Sequence, residues 1–401
     1  MQTAILHRKI YAILTAILMA VTPAAAQTLK IVHSFGNSTD GSQPWSAVTF
    51  DSHGNMFGTT LFGGTDGLGT VYEFSPKSGG GFTERIVHAF GSVANDGLTP
   101  YCSIAIDAQG NLYGMTPNGG TGFNGTAFEL TPKAGGGYVE TILHNFPGSS
   151  RDGYYPEAGL TLDSKGNLYG VALNGGVTLS GGVAFELLHA GGSWSEKVLF
   201  DFNYTDGGSP SANVTLDSAG NVYGTTFAGG GAKDGLVFKL SPSTSAMWTE
   251  TILLEFGENG AQGAGPVAPL IFDAQGNLYG SVESGQIFEL SPQSDGSWTQ
   301  TVLYTFGGLP NAGPSGVVFD SQGNLYGTTR YGGANGYGLV FKLSPTGDGT
   351  WTETTLHDFQ NDGVDGTYPI GGVTFDAAGN LWGTTSTGGA HGAGTLFVIK
   401  P

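Results

Sequence analysis

Seven copies of Asp-x-x-Gly-Asn divide this chain into near-equal units. They begin at Asp51, Asp107, Asp163, Asp217, Asp273, Asp320 and Asp376. Successive starts lie 56, 56, 54, 56, 47 and 56 residues apart. At this period each unit is one supersecondary element that buries its apolar faces only by stacking on its neighbours. The repeat therefore fixes a repetitive architecture before any local reading, and it says little about chemistry.

The unit beginning at Ser103 reads as four short strands. Ser103 to Asp107 alternates, with Ile104 and Ile106 on one face. Asp107 can accept backbone N–H groups across the following turn and Gly110 can take a positive φ, which gives a tight hairpin. Leu112 to Thr116 is the second strand, and a Gly-rich loop runs to Gly125. Thr126 to Leu130 is the third and Tyr138 to Phe146 the fourth. We term these strands A, B, C and D. Four antiparallel strands per unit is the pattern of a propeller blade. Strand B carries one aromatic per unit, namely Phe57, Tyr113, Tyr169, Tyr223, Tyr279, Tyr326 and Trp382. These, with Trp194, Trp248, Trp298 and Trp351 near the start of strand D, are expected to form core between blades rather than a ligand platform.

The two ends complete one unit. Thr28 to Phe35 (TLKIVHSF) matches strand D of later units, such as Val139 to Phe146 (VETILHNF), whereas the C-terminal unit supplies only strands A, B and C. The expectation is an all-β, seven-bladed β-propeller closed by the N-terminal strand, which removes the exposed edges that all-β proteins must otherwise protect.

His7, Arg8 and Lys9 precede an apolar run from Ile10 to Val21 and the small residues Ala24, Ala25 and Ala26. This is the form of a signal peptide at residues 1–26, followed by a single propeller over 27–401. The run is short for a membrane span. The expected product is secreted or periplasmic, with no membrane insertion after cleavage. It keeps 12 basic and 32 acidic residues, a net charge of −20, which disfavours nucleic acid and anionic membranes. The 71 glycines sit at fixed places between alternating runs, so they mark turns rather than disorder. Cys102 stands alone, so stability rests on packing and strand pairing.

Gly-Asn-Leu-Tyr-Gly-Thr-Thr, then Gly-Gly, then a Val/Ala-Phe-Glu/Lys-Leu-Ser/Thr-Pro strand, then Trp-Thr-Glu-Thr, resembles the GloVer tandem repeat of exported bacterial choice-of-anchor proteins. The resemblance spans roughly residues 28 to 401. It implies export and a repetitive β fold, and it implies no reaction and no catalytic residues. Many such proteins carry a C-terminal anchoring segment; this sequence ends at Pro401 without one, which leaves surface attachment open.

An A-B-C-D meander sends its D-to-A and B-to-C loops to one face. That face varies between units, and variable loops on a repeat scaffold are where function is expected. Just after a recurrent Pro stand Trp45, Tyr101 and Glu157, where other units have Ser211, Val267, Pro314 and Ile370. Arg151, Tyr155, Glu283, Arg330, Tyr331 and His391 are further departures from the repeat on that face. Unit five has also lost most of its B-to-C loop, leaving Val282 to Gly285. Aromatics with acids round one opening suit sugar rings, whose C–H faces stack while their hydroxyls bond carboxylates.

Asp40, Asp96, Asp152, Asp206 and Asp365 precede the recurrent Pro by four residues. A Ca²⁺ ring is the sharp reading and one Asx turn per blade the favoured one, because carboxylates spread round a ring cannot share an ion. His33, His88, His144 and His357 recur in strand D on separate strands, which points to packing rather than shared metal ligation. No metal or cofactor is expected, and Cys102 reads as a small buried residue. No nucleophile or zinc motif is present.

The expected function is an extracellular binding scaffold, a monomer whose ligand is a glycan or a surface protein. The alternative is a polysaccharide lyase or glycoside hydrolase at the channel mouth. Its acid and base would come from Glu157, Glu283, Tyr101, Tyr155 and His391, with Arg151 and Arg330 neutralising a uronate.

Overall fold

The computed structural model describes residues 28–37, 39–148, 151–177, 180–244, 247–258, 262–307 and 312–400. The expected signal peptide lies outside the described residues. Among the described residues there is no helix. Seven four-stranded antiparallel sheets form the seven blades of a propeller, with three two-stranded ribbons in the loops. Blade 1 begins with strand A at Thr49–Phe50, and blade 6 ends with strand D at Trp351–Asp358. In blade 2 the strands are Ala105–Ile106, Leu112–Thr116, Thr126–Pro132 and Tyr138–Asn145. Strand A is shorter than the alternation of Ile104 and Ile106 suggests, and strand C runs on to the turn proline.

Blade 7 takes strands A to C from Val373–Phe375, Leu381–Thr385 and Thr395–Ile399, and strand D from Leu29–Ser34. Leu29 pairs with Ile399 and Ser34 with Thr395, so the ring closes as the sequence implies. Closure extends into the loops. The Gly394 Cα is so near the Pro44 ring of blade 1 that a Cβ there would lie 2.7 Å from Pro44 Cδ, and the Gly φ is +103°. The same Gly-to-Pro approach joins Gly125 to Pro156 between blades 2 and 3. Only glycine meets both demands.

Each A-to-B hairpin is held by its Asp. Asp107 Oδ1 accepts the backbone N–H groups of Gln109 and Asn111, both at 2.9 Å. Its Oδ2 accepts the Asn111 side-chain amide and the Tyr113 hydroxyl. The backbone pair and the Asn amide bond recur at all seven motif aspartates. The Asn of the motif thus fixes the carboxylate, a role that turn propensity alone does not assign.

The strand B aromatics are buried as expected. Tyr113 meets Trp194, Tyr169 meets Trp248 and Trp382 meets Phe82, each pair bridging two blades. A second inter-blade row was less visible in the sequence. The Phe closing each strand D packs on an aromatic in strand C of the next blade: Phe90 on Phe128, Phe146 on Phe185, Phe359 on Phe397 and Phe35 on Tyr72. Most of the largest fully buried side chains belong to this row.

The recurrent strand D histidines and loop aspartates are one feature rather than two. His33, His88, His144 and His357 contact Asp40, Asp96, Asp152 and Asp365 through Nε2, at 3.0, 3.2, 3.2 and 2.7 Å. Three of these aspartates also bond loop backbone, though upstream of themselves rather than in the expected Asx turn. Asp40 accepts the Gly36 amide, Asp96 that of Gly91 and Asp365 that of Gln360, so each carboxylate caps loop amides that precede it.

Candidate functional site

The D-to-A loops converge on the channel mouth. In every blade the residue before the recurrent Pro has a left-handed backbone. Gln43, Thr99, Tyr155, Ser209, Gly265, Gly313 and Tyr368 have φ between +54° and +65°. All seven following prolines are buried. This residue bridges blades. The Tyr155 N–H donates to the Asn124 carbonyl of the preceding blade, and its own carbonyl accepts the Leu173 N–H at the end of strand B. Tyr368 does the same between Tyr337 and Ser386. Such a backbone is costly for a non-glycine residue. Here it recurs in all seven blades, so it belongs to the scaffold.

The Pro then aims the next residue into a cavity of about 580 Å³. Trp45, Tyr101, Glu157, Ser211, Val267 and Ile370 line it, one from each of six blades, and blade 6 contributes Ser315 and Arg330. Its size is that of a small-molecule site. The variable position identified from the sequence is therefore the lining of one space, with one shift of register. In blade 6 Pro314, expected at the mouth, is itself the recurrent Pro and lies six rather than seven residues before the motif Asp, so Ser315, which follows it, lines the mouth instead.

One side of the cavity is aromatic and cationic. The Trp45 and Tyr101 rings lie 5.1 Å apart at 44°. The Arg330 guanidinium stands 6.0 Å from the Trp45 ring and 5.1 Å from the Tyr331 ring. Two donors here are buried without a protein acceptor, Trp45 Nε1 and Arg330 Nε. A buried donor lacking a partner is destabilising by roughly 1–3 kcal/mol, more when charged. Both would be satisfied by acceptor oxygens of a ligand or by water. Glu157, from the blade after that of Tyr101, is half-buried, and burial holds its carboxyl above the usual carboxylate range. The Tyr101 phenol is likewise raised, first by burial and then by the charge of Glu157. Cys102 lies in the wall. It is buried and bonded through Sγ to the Met115 backbone, with burial raising its thiol to about 11, which suits a packing residue.

The structure thus brings together four of the nine candidate residues: Trp45, Tyr101, Glu157 and Arg330. Tyr331 stands behind Arg330, exposed, and its ring is 5.5 Å from Tyr368. Tyr155 is exposed against Tyr154 and holds the scaffold position before Pro156. Glu283 is occupied through its backbone, bonded to Gly265 and Gly313 in the shortened loop of blade 5. Arg151 is exposed and its charge acts on Asp201. His391 packs against Gly36, just after strand D of blade 7, and is not among the residues lining the cavity.

The chain is similar to solved structures, one of them at a level that bears on the fold. The extracellular domain described as part of a hybrid two-component system from B. thetaiotaomicron superposes with a TM-score of 0.55 at 13% identity, over 94% of this chain and 42% of that one. The chain therefore spans less than half of that domain. A protein of unknown function from Dyadobacter fermentans aligns over 93% of this chain and 99% of its own length, at 12% identity and a TM-score of 0.45. A search of curated proteins finds no match. No helix among the described residues is long and apolar enough to cross a membrane. The sequence profile of the Gloeobacter/Verrucomicrobia repeat matches residues 15–183, 124–295 and 281–401, and the chain belongs to that repeat family.

Proposed function

We propose that this propeller is an extracellular binding scaffold that takes a glycan, or a glycan-bearing surface protein, at the channel mouth. The observation that carries the reading is the grouping of Trp45, Tyr101 and Arg330 in one cavity, with Trp45 Nε1 and Arg330 Nε lacking acceptors. The tilted Trp45 and Tyr101 rings offer faces to sugar C–H groups, and the two donors match ring or hydroxyl oxygens. The Arg330 charge would favour an acidic sugar, against a protein whose overall charge is strongly negative. An extracellular setting is supported by the signal-like N-terminal sequence and by the likeness to an extracellular domain.

The alternative is a lyase or hydrolase at the same cavity, with Glu157 or Tyr101 as proton donor and Arg330 against a uronate. The raised Glu157 carboxyl favours it. Among the described residues, however, the cavity lining holds one carboxylate, whereas glycoside hydrolysis commonly uses a pair. Binding without turnover is the better reading. The test is a glycan array read beside a lyase and hydrolase screen on the same preparation. Binding with no product formation supports the scaffold, and product formation that Glu157→Gln abolishes supports the enzyme.

A further inference from the structure

Outside the channel, the outer rim repeats a three-residue cluster across neighbouring blades. Strand D of one blade supplies His, the following loop supplies Asp, and strand D of the next blade supplies Glu. His88, Asp96 and Glu140 form one such group, and His33, Asp40 and Glu84 another. In each of these, one ligand atom per residue lies within 4.8 Å of the other two. His144, Asp152 and Glu196 hold the same registers, with His144 and Asp152 3.2 Å apart, but are not gathered as closely as a set of three.

We infer that the two close inter-blade clusters are divalent transition-metal sites, with His Nε2 and two carboxylate oxygens as ligands and Zn²⁺ as the best-fitting ion. Four observations support this. The His88 Nε2 to Asp96 Oδ2 distance is 3.2 Å, and that to Glu140 Oε1 is 3.6 Å. Ligands on a tetrahedral Zn²⁺ with bonds of about 2.0–2.1 Å are separated by about 3.3–3.4 Å, so the spacing suits an ion at the centre. It is long for a charge-assisted hydrogen bond, which closes to about 2.7–2.9 Å.

The second observation is an internal control. His357 and Asp365 form the same pair between blades 6 and 7, but there the position of Glu140 is held by Leu29, paired with Ile399 as Glu140 is with Leu130. Without the third ligand, His357 and Asp365 close to 2.7 Å.

The third is burial. The Glu140 side chain is 9% exposed and that of Asp96 1%. Glu140 Oε1, the atom facing His88, has no hydrogen-bond partner; in the second cluster Glu84, 24% exposed, faces His33 through Oε2 at 3.6 Å, and its buried unpartnered atom is Oε1. A buried carboxylate oxygen is costly unless a cation or donor meets it. The fourth is ligand chemistry. One imidazole and two carboxylates leave an open fourth position for water and suit Zn²⁺, whereas Ca²⁺ prefers six to eight oxygens. An ion here would clip two adjacent blades together at the rim.

The test is Zn²⁺ titration of the chelator-treated chain by calorimetry, with Ca²⁺ as the comparison ion. Melting curves and the Co²⁺ visible absorption of the same samples are read alongside. The expected result is two Zn²⁺ equivalents per chain, a raised melting temperature and Co²⁺ bands, none reproduced by Ca²⁺. The double variant H33F/H88F should lose both equivalents. Strand D already holds Phe200 at the matching register in blade 3, so the fold accommodates Phe there. The isosteric E84Q/E140Q variant, which mimics Gln300 of blade 5, should lose them too without loss of packing volume. Wild type that takes up Zn²⁺ no better than Ca²⁺, or double variants that retain both equivalents and the Co²⁺ bands, would overturn the inference.

Discussion

Leu29 pairs with Ile399, joining the first described strand to the last and completing blade 7. The consequences reach beyond one ladder. The same segment delivers Phe35, fully buried against Tyr72 of blade 1, and leads into Pro44, which seats on Gly394.

Deleting residues 28–35 should therefore destabilise the whole ring. Loss of Phe35 alone removes a buried aromatic, a change that typically costs about 3–5 kcal/mol, and the deletion also exposes the edge of Thr395–Ile399. Thermal melting should show a large fall or a loss of the folded state. An unchanged melting temperature would contradict closure through this strand.

Tyr169→Ala, in strand B of blade 3, should lower stability by about 3–5 kcal/mol as a buried aromatic truncation. Tyr169→Phe should cost only about 1 kcal/mol, since it keeps the ring and loses the bond to Glu186 at 2.8 Å. Phe57 already fills this position in blade 1. Denaturant melts of the two variants check the order; equal losses would mean that the ring contributes little.

Glu250 offers a pH prediction. Burial, reinforced by the charge of Asp206, raises its carboxyl to about 8. A carboxyl raised on folding favours the protonated folded form. Its contribution is present below the unfolded value of about 4.3 and is lost as pH rises towards 8. Glu250→Gln removes that dependence. The variant should melt higher than wild type at pH 8 and show no such gain near pH 4.5. Blade 5 makes the same substitution naturally: Gln300 accepts the Gln262 N–H at 2.7 Å and donates to its carbonyl at 2.8 Å. A Gln variant less stable at both pH values would reject this assignment.

The legibility of these features follows their range in the chain. The blade count, the closing strand and the Asp-x-x-Gly-Asn hairpin rest on local pattern repeated seven times, and each is present in the structure. The lining position of Trp45, Tyr101 and Glu157 could be read because it sits at a constant offset from that motif. Arg330 joined them only through its departure from the repeat. The rim cluster was hidden for a geometric reason. His88 and Asp96 share one blade, but Glu140 comes from the next, and no single unit displays the set. Tyr155 stands out in sequence as an aromatic near the mouth, yet its position has a scaffold task in every blade, which only the backbone angles disclose.

The central claim is that the channel mouth binds a glycan through Trp45 and Tyr101. The most direct measurement is glycan-array binding, followed by titration of the best oligosaccharide found, for wild type, Trp45→Ala and Tyr101→Ala, each with a melting curve. Loss of an aromatic anchor should weaken binding by about 2 kcal/mol or more, roughly 30-fold in Kd, while the melting temperature changes little. A wild type that binds no glycan, or variants that bind as tightly as wild type while His53→Ala on the opposite face abolishes binding, would contradict the account.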